Sequence, residues 1–242
     1  MPSHNLAKIE INDLTIIGYS IAAEETVVAI PQLDVCFDIG KAPDQVISIN
    51  NVLLTHGHMD HAAGIAYYLS HRNFEGQSPG TVLAPKNLIA QIKKVMNAWG
   101  KLDGNEVPAN LIGIEPSGEY QVKPNIFARA FPTSHCRGSL GFTVIEKRKK
   151  LKSEYSKLNS RQIVELKKQG VEIDYTLEIP IVTYLGDTGY ADYDKLEYIK
   201  NSKILIVECT FYVDEHIERA KAGKHLHFNE FRELISKLII SI

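Results

Sequence analysis

Three histidines and one aspartate lie within six consecutive positions of the sequence, at His56, His58, Asp60 and His61. Imidazole nitrogens and carboxylate oxygens are the ligands that zinc and similar divalent ions accept at catalytic sites, where water must also bind. The sequence contains no Cys-x-x-Cys pair, the usual ligand pattern of closed structural zinc sites. The segment therefore predicts a catalytic metal centre, in preference to a surface turn that is rich in histidine by chance.

The spacing of these residues predicts two metal ions. His56 and His58 are two positions apart, so on an extended chain their side chains point to the same side and can share one ion. Asp60 and His61 lie past the turn, where they can reach a second ion. Two ions need about seven protein ligands in addition to water, so further ligands are expected later in the chain.

The elements around the segment indicate how it is positioned. An apolar run, Val52-Leu53-Leu54, precedes it and predicts a strand, and residues 62–69 read as a helix. Asp38 also stands at the end of an apolar strand. A carboxylate is costly there unless a partner is present, such as the ring N–H of a metal-binding histidine. A turn aspartate without this role is the alternative.

Two later apolar strands deliver a carboxylate where they stop: residues 181–185 precede Asp187, and residues 204–207 precede Glu208. Buried parallel strands with polar residues at their carboxyl ends are typical of a site along one edge of a sheet. His135 likewise follows an apolar strand. Each residue alone has a structural explanation, but together they predict that His135 binds the first ion and that Asp187 bridges both.

The overall pattern indicates an α/β protein. The 242 residues, of which 44% are hydrophobic, are sufficient for one domain with a substantial core. Strands, helices, strands and helices follow one another, which predicts two sheets with helices packed outside them. Residues 111–114, 120–122, 126–132 and 140–146 read as four short strands of a meander or of hairpins.

Charge and hydropathy limit the partners. The formal net charge of -2 gives no overall sign preference, so a nucleic-acid partner needs a local basic patch. The best candidate is residues 147–168, which hold only two acidic residues; binding of a polyanion and a solvated helical arm are equally good interpretations. The nine basic residues of this segment are Lys147, Arg148, Lys149, Lys150, Lys152, Lys157, Arg161, Lys167 and Lys168.

No apolar run approaches the roughly 18 residues of a membrane-spanning helix, and the N-terminus lacks the order of a signal peptide. We therefore expect no membrane association and a cytoplasmic location.

The motif Thr55-His-Gly-His-Met-Asp-His61 resembles the signature of the metallo-β-lactamase fold, and the later motifs resemble the ribonuclease Z branch, whose members trim the 3′ ends of tRNA. The resemblance covers about residues 10–240. The matching segments, in chain order, are Phe37-Asp38-Ile39-Gly40, His56 to His61, His135, Gly141 to Glu146, Leu185-Gly186-Asp187-Thr188 and Glu208-Cys209-Thr210-Phe211.

The resemblance implies a four-layer αββα sandwich, formed by a single domain of residues 1–242 with an arm-like insertion at residues 147–178. It further implies a dinuclear zinc hydrolase, with Mn²⁺ or Fe²⁺ as alternative metals, that cleaves RNA or another phosphodiester. A homodimer is also expected. In this scheme Asp60 binds an ion and orients or deprotonates the attacking water, Asp38 fixes a ligand imidazole, and Glu208 orients His225 or another proton donor.

The last ligand has two candidates, His225 and His227. In ribonuclease Z the ligand stands two residues before a Ser or Thr that caps the next helix. Here Asn229 is the expected cap of a helix running from Glu230 to about Ile240. This predicts His227 as the ligand and His225 as a catalytic proton donor or supporting residue, with the reverse assignment as the alternative.

The sequence departs from the ribonuclease Z pattern at two places. Val207 stands where the family usually has a histidine, and the basic segment is shorter than the family's Gly- and Pro-rich arm. Two other functions stay open: a thioesterase or lactonase of the glyoxalase II branch, although its His-Thr-Pro-Gly-His-Thr segment is absent around His135, and a metal-binding protein without catalysis.

Overall fold

The structure is a computed structural model that describes residues 6–238. Within them lie twelve strands: β1 Ala7–Ile11, β2 Leu14–Ile21, β3 Glu25–Ile30, β4 Val35–Phe37, β5 Asn51–Leu53, β6 Thr81–Pro85, β7 Asn110–Ile114, β8 Glu119–Lys123, β9 Ile126–Pro132, β10 Leu140–Leu151, β11 Asp174–Tyr184 and β12 Ile204–Ile206. The helices are α1 Met59–Ala62, α2 Ile65–Phe74, α3 Ile89–Asp103, α4 Ser160–Lys168, α5 Glu197–Lys200, α6 Ile217–Gly223 and α7 Phe228–Leu238.

The strands form two sheets. The first has seven strands in the order β1 to β7, antiparallel from β1 to β4 and parallel from β4 to β7. The second has five strands in the order β12-β11-β10-β9-β8, and β11 and β12 are its parallel pair. Residues 111–114, predicted as part of a meander, belong instead to β7 in the first sheet, because a parallel partner is available on β6.

The central strands alternate between two apolar layers, since successive side chains of a strand point to opposite faces. In β4 and β5, Phe37 and Leu53 face the second sheet, where they pack in one core with Phe142 and Val144. Val52 lies on the other face of the sheet, in a second core that includes residues of α2 and α3. Strands buried on both faces read as continuous apolar runs, as these do.

The outer face of the second sheet is covered as well. Phe131 and Leu185 pack with Ile199 of α5 and with Leu234 and Leu238 of α7. Helices therefore flank both sheets, and the predicted four-layer αββα arrangement is confirmed. None of the helices between residues 6 and 238 is both long enough and apolar enough to cross a membrane.

The basic segment folds as an arm. The outer halves of β10 and β11 form an antiparallel hairpin in which Leu151 pairs with Asp174. The chain between them contains α4, which begins with a capping box at Asn159 and Gln162. The arm thus continues directly from two strands whose inner halves lie in the protein core.

Candidate metal centre

Four strand ends meet at one edge of the sandwich and carry three predicted ligands and the predicted catalytic residue Glu208. The chain reaches His56 just after β5, His135 after β9, Asp187 after β11 and Glu208 after β12. The two sheets are joined at this edge by the hydrogen bond from the Leu140 N–H to the carbonyl of Thr55, at 2.9 Å. Ligands that are far apart in the chain therefore come together.

The turn that carries Asp187 depends on a glycine. Gly186 has a φ of +64°, a conformation that favours glycine, and a Cβ there would lie 2.9 Å from the Thr55 side chain. The close approach of this turn to Thr55 places Asp187 beside the histidine segment.

A three-histidine group, consisting of His56, His58 and His135, forms the first part of the centre. His56 Nε2 lies 2.9 Å from His58 Nδ1, and His135 Nε2 lies 3.2 Å from the same atom. Asp187 Oδ2 is 3.9 Å from both His56 Nε2 and His135 Nε2. Four donor atoms thus converge on one small volume.

Asp60, His61 and His225 form a second donor group around Asp187. His61 Nε2 is 3.2 Å from Asp187 Oδ2 and 3.7 Å from Asp60 Oδ2, while His225 Nδ1 is 3.9 Å from Asp187 Oδ2. The N–H of Ala23, in the turn between β2 and β3, donates to Asp60 Oδ2 at 2.9 Å. Asp187 Oδ2 is therefore shared by the two groups, as expected for a bridging ligand.

Asp38 is completely buried, and its carboxylate is fully engaged. His61 Nδ1 lies 2.8 Å from Oδ2, the Thr55 N–H donates to Oδ1 at 2.8 Å, and the Tyr184 hydroxyl donates to Oδ2 at 3.2 Å. The predicted contact between Asp38 and a histidine ring is thus present. Because the carboxylate holds Nδ1 of His61, Nε2 faces the centre.

The rings of His56 and His135 are oriented in the same manner. His56 Nδ1 is 2.9 Å from the Thr55 hydroxyl, which itself donates to Asp38. His135 Nδ1 donates to the carbonyl of Lys224 at 3.1 Å. In both rings the outer nitrogen has a polar partner, so Nε2 is left for a ligand. His58 instead faces the group with Nδ1.

The side chains of the centre have pKa values that are shifted in opposite directions. Burial lowers the pKa of His56 to about 3. Burial also disfavours the charged form of His61, but Asp38 and Asp187 outweigh it and raise the pKa of His61 to about 11. The pKa of Asp187 falls to about 2 despite its burial, because His61 hydrogen-bonds to it. The carboxylates of Asp38, Asp60 and Asp187 all lie within 3.7 Å of a His61 ring nitrogen, so additional positive charge is favourable here.

The donor set fits zinc. With Zn–N bonds of about 2.0 to 2.1 Å, two nitrogens on a tetrahedral ion lie about 3.3 Å apart, close to the nitrogen separations in the three-histidine group. Imidazole and carboxylate donors with oriented rings are also the expected chemistry of a catalytic zinc site. The predicted metal-binding residues of both groups are brought together, with one exception.

The exception is His227, which the structure places away from the centre. It is buried, with Nε2 3.3 Å from the carbonyl of Val213, and its Nδ1 accepts the N–H of Asn229. The prediction of an N-cap at Asn229 is wrong, because α7 begins at Phe228 and the Glu230 carboxylate accepts the His227 N–H. His225 occupies the place that the sequence pattern assigns to His227.

Glu208 holds His225 in this position. Its carboxylate is 3.0 Å from His225 Nδ1 and accepts the Thr188 N–H at 2.7 Å and the Thr210 hydroxyl. The hydrogen bond to Glu208 is the main cause of the raised pKa of His225. The predicted contact between Glu208 and His225 is therefore present.

Several supporting residues were not predicted. Thr55 and Tyr184 hold Asp38, the Lys224 carbonyl orients His135, and Ala23 binds Asp60 through its main chain. The position of Thr55 as the first residue of the motif is a signal that could have revealed it. Main-chain partners carry no residue signature, so contacts such as those of Ala23 and Lys224 cannot be read from the sequence.

The centre opens into a cavity of about 600 Å³. Two kinds of residues line it: members of the donor groups, and a segment that follows Glu208 along the chain. The lining residues are Ala22, Ala23, His58, Asp60, Asp187, Thr210, Phe211, Tyr212, Val213, His216, Arg219 and His225. The volume lies in the range of pockets that hold a small organic ligand or a group of that size.

Comparisons with known proteins agree with this geometry. Residues 32–241 match the model of the β-lactamase superfamily domain. The chain is 32% identical to tRNase Z TRZ1 of Arabidopsis thaliana over 226 residues, which cover 92% of this chain and 80% of that protein. It is 31% identical to the nuclear ribonuclease Z of Triticum aestivum over 170 residues, 70% of this chain and 97% of that protein.

Among solved structures, the short form of human tRNase Z superposes with a TM-score of 0.57 at 15% identity, covering 98% of this chain and 83% of that chain. At this identity the similarity shows the fold alone.

Proposed function

Because the chain belongs to the tRNase Z family of the β-lactamase superfamily and is a metal-dependent hydrolase, we propose that it cleaves an RNA phosphodiester bond with two zinc ions. The observation that supports two ions is the position of Asp187 Oδ2, which lies 3.9 Å from His56 Nε2 and His135 Nε2 in the first donor group and 3.2 Å from His61 Nε2 in the second. The proposed ligands are His56, His58 and His135 for the first ion, Asp60, His61 and His225 for the second, and Asp187 for both.

Bound zinc ions would lower the pKa of water and stabilise the charge on the reacting phosphate. The protein's own groups have separate roles in the proposal. Asp60, fixed by the Ala23 N–H through one oxygen, orients the attacking water and accepts its proton through the other. Asp38 keeps His61 in the orientation and tautomer needed for binding, and Glu208 does the same for His225.

The basic arm is proposed to hold the RNA outside the cavity. Four of its basic residues, Lys147, Arg148, Lys152 and Lys167, form ion pairs with carboxylates. Lys149 and Lys150 are exposed on β10, where they can bind phosphates. A homodimer and a cytoplasmic location stay predictions; relatives of the chain include proteins named as chloroplastic and as nuclear.

A substrate comparison tests the proposed function. Protein loaded with zinc or with manganese is assayed on a tRNA precursor, on bis-p-nitrophenyl phosphate and on a thioester. We expect hydrolysis of both phosphodiesters, and loss of that activity in Asp60→Ala. Turnover of the thioester alone would instead identify a glyoxalase II-like hydrolase. Hydrolysis of none of the three would leave a metal-binding protein without catalysis and refute the proposal.

A further inference from the structure

The cavity next to the metal centre has a wall that the proposed ligands do not form. We call Phe211, Tyr212, His216 and Arg219 the aromatic wall; all four line the same cavity as Asp60, Asp187 and His225. Three of the four have aromatic rings, and the fourth is the cation among the cavity-lining residues. This composition differs from the His and Asp donors of the centre and calls for a different ligand chemistry.

Arg219 is exposed and contacts an aromatic ring and an imidazole. Its guanidinium lies over the Phe211 ring at 5.8 Å from the ring centroid, and Nη1 is 3.5 Å from His216 Nε2. The His216 ring in turn packs edge-on against Phe211, with centroids 5.9 Å apart. Among residues 6–238, no carboxylate lies within ion-pair distance of Arg219.

Arg129 shows the contrast. It is bound by both Glu119 and Glu178, so its charge is compensated within the protein. The positive charge of Arg219 has no carboxylate partner among residues 6–238. The residue lies on the wall of a cavity where an anionic substrate is expected. Its planar donors suit a phosphate, and its position over Phe211 leaves the edge of the guanidinium available.

Tyr212 is the second unusual member of the wall. Its side chain is 75% exposed although it lines the cavity. An exposed aromatic ring and a cation that line the same cavity can bind one nucleotide, because a base can stack on the ring while the phosphate contacts the cation.

From these features we propose that the aromatic wall binds the nucleotide that flanks the scissile phosphate, with Arg219 on its phosphate and Tyr212 against its base. The inference rests on the proposed function in one respect: the scissile phosphate is taken to lie at the donor groups. The next phosphate of the same strand then lies within the cavity, at Arg219.

The test measures binding of two nucleotides that contain no phosphodiester bond. Calorimetry on the metal-loaded protein compares adenosine 3′,5′-bisphosphate with adenosine 5′-monophosphate. The wild type should bind the bisphosphate about tenfold more tightly, because its second phosphate gains a hydrogen bond to a charged group. Arg219→Gln should abolish this difference. Lys221→Gln, the same change of charge two residues further along α6, should retain it.

A second variant tests the stacking. Tyr212→Ala should weaken binding of both nucleotides by at least about fivefold, because the base no longer stacks on an aromatic ring. Binding of inorganic phosphate should stay unchanged. Equal binding of the two nucleotides by the wild type, or equal behaviour of Arg219→Gln and Lys221→Gln, would overturn the role of Arg219. Unchanged nucleotide binding in Tyr212→Ala would overturn the stacking.

These outcomes are separable from those of the proposed function. Selective nucleotide binding by a protein that hydrolyses no phosphodiester would support the wall and refute the hydrolase. Hydrolysis of a phosphodiester by a protein that does not distinguish the two nucleotides would support the hydrolase and refute the role of the aromatic wall.

Discussion

The two sides of the metal centre are built differently. The first side, residues 38–61, lies in one stretch of chain at the ends of β4 and β5, and its support, Asp38, is completely buried. The second side consists of His135, Asp187 and His225, each reached by a different turn. Its support, Glu208, has a side chain that is 10% exposed, and that of His225 is 19% exposed.

This difference predicts that the first side contributes mainly to folding stability and the second side mainly to metal binding. Asp38 binds Thr55 and His61 of the metal-binding loop and Tyr184 of β11 in the second sheet, so it ties this loop to the core. Glu208 joins turns at the surface of the second sheet, next to the cavity. We therefore expect changes on the first side to damage folding, and changes on the second side to affect metal binding with less effect on folding.

The largest expected effect on stability is that of Asp38→Ala. Removing the carboxylate leaves the buried polar groups of His61, Thr55 and Tyr184 without their acceptor, which should lower the free energy of unfolding by about 3 to 5 kcal/mol. Urea unfolding of the metal-free protein measures it. Asp13→Ala, in an exposed turn, should change stability by less than about 0.5 kcal/mol. A similar small change in Asp38→Ala would contradict the division between the two sides.

Asp187→Ala should act on catalysis. Loss of the shared ligand is expected to reduce kcat on bis-p-nitrophenyl phosphate by about 10³-fold, equivalent to about 4 kcal/mol of transition-state stabilisation. The control is Asp192→Ala, an exposed aspartate five residues later that pairs with Lys195. A loss of less than tenfold in Asp187→Ala would show that the two donor groups do not act through a shared ligand.

Glu208→Ala should have a smaller effect, on metal affinity. Without its hydrogen-bond partner, His225 loses its fixed orientation, and one of the two ions should bind about 10- to 100-fold more weakly. Competition with a chromophoric chelator measures the affinity, and Glu218→Ala on the exposed face of α6 is the matched control. Equal affinities in the two variants would assign Glu208 a purely structural role.

The smallest expected effect concerns the arm. If Lys149 and Lys150 bind phosphates, replacing both with glutamine should reduce the slope of log Kobs against log salt concentration by about 0.7 to 0.9 for each phosphate that is no longer bound. The double change Lys93→Gln and Lys94→Gln, on exposed positions of α3, should leave the slope as in the wild type. An unchanged slope in the arm variant would make the arm a solvated surface.

The same contrast explains which parts of the protein could be predicted from sequence. The first side has a contiguous motif whose spacing and chemistry identify it, and apolar runs such as 52–54 mark the strands that carry it. On the second side, His135 and Asp187 could be predicted because each follows an apolar strand. The choice between His225 and His227 depended on where α7 begins, and the Glu230 side chain, which binds the His227 N–H, decided it against the expected cap.

The pairing of the strands could likewise not be predicted from the sequence. Residues 111–114 have the composition of any short strand, and their place beside β6 follows from tertiary packing. The sequence pattern also predicts a helix from Pro85 to about Ala98 with Gly100 at its exit. In the structure α3 continues to Asp103 and ends at Gly104, which has the left-handed conformation that terminates helices.

The central claim is that each of the two donor groups binds one zinc ion and that Asp187 is shared between them. Its most direct test is the zinc content of three proteins after dialysis, determined by mass spectrometry. We predict two zinc ions per chain for the wild type, one for His225→Ala and two for His227→Ala. The proposed centre would be contradicted by one zinc ion in the wild type. It would also be contradicted if His227→Ala lost zinc while His225→Ala kept two ions.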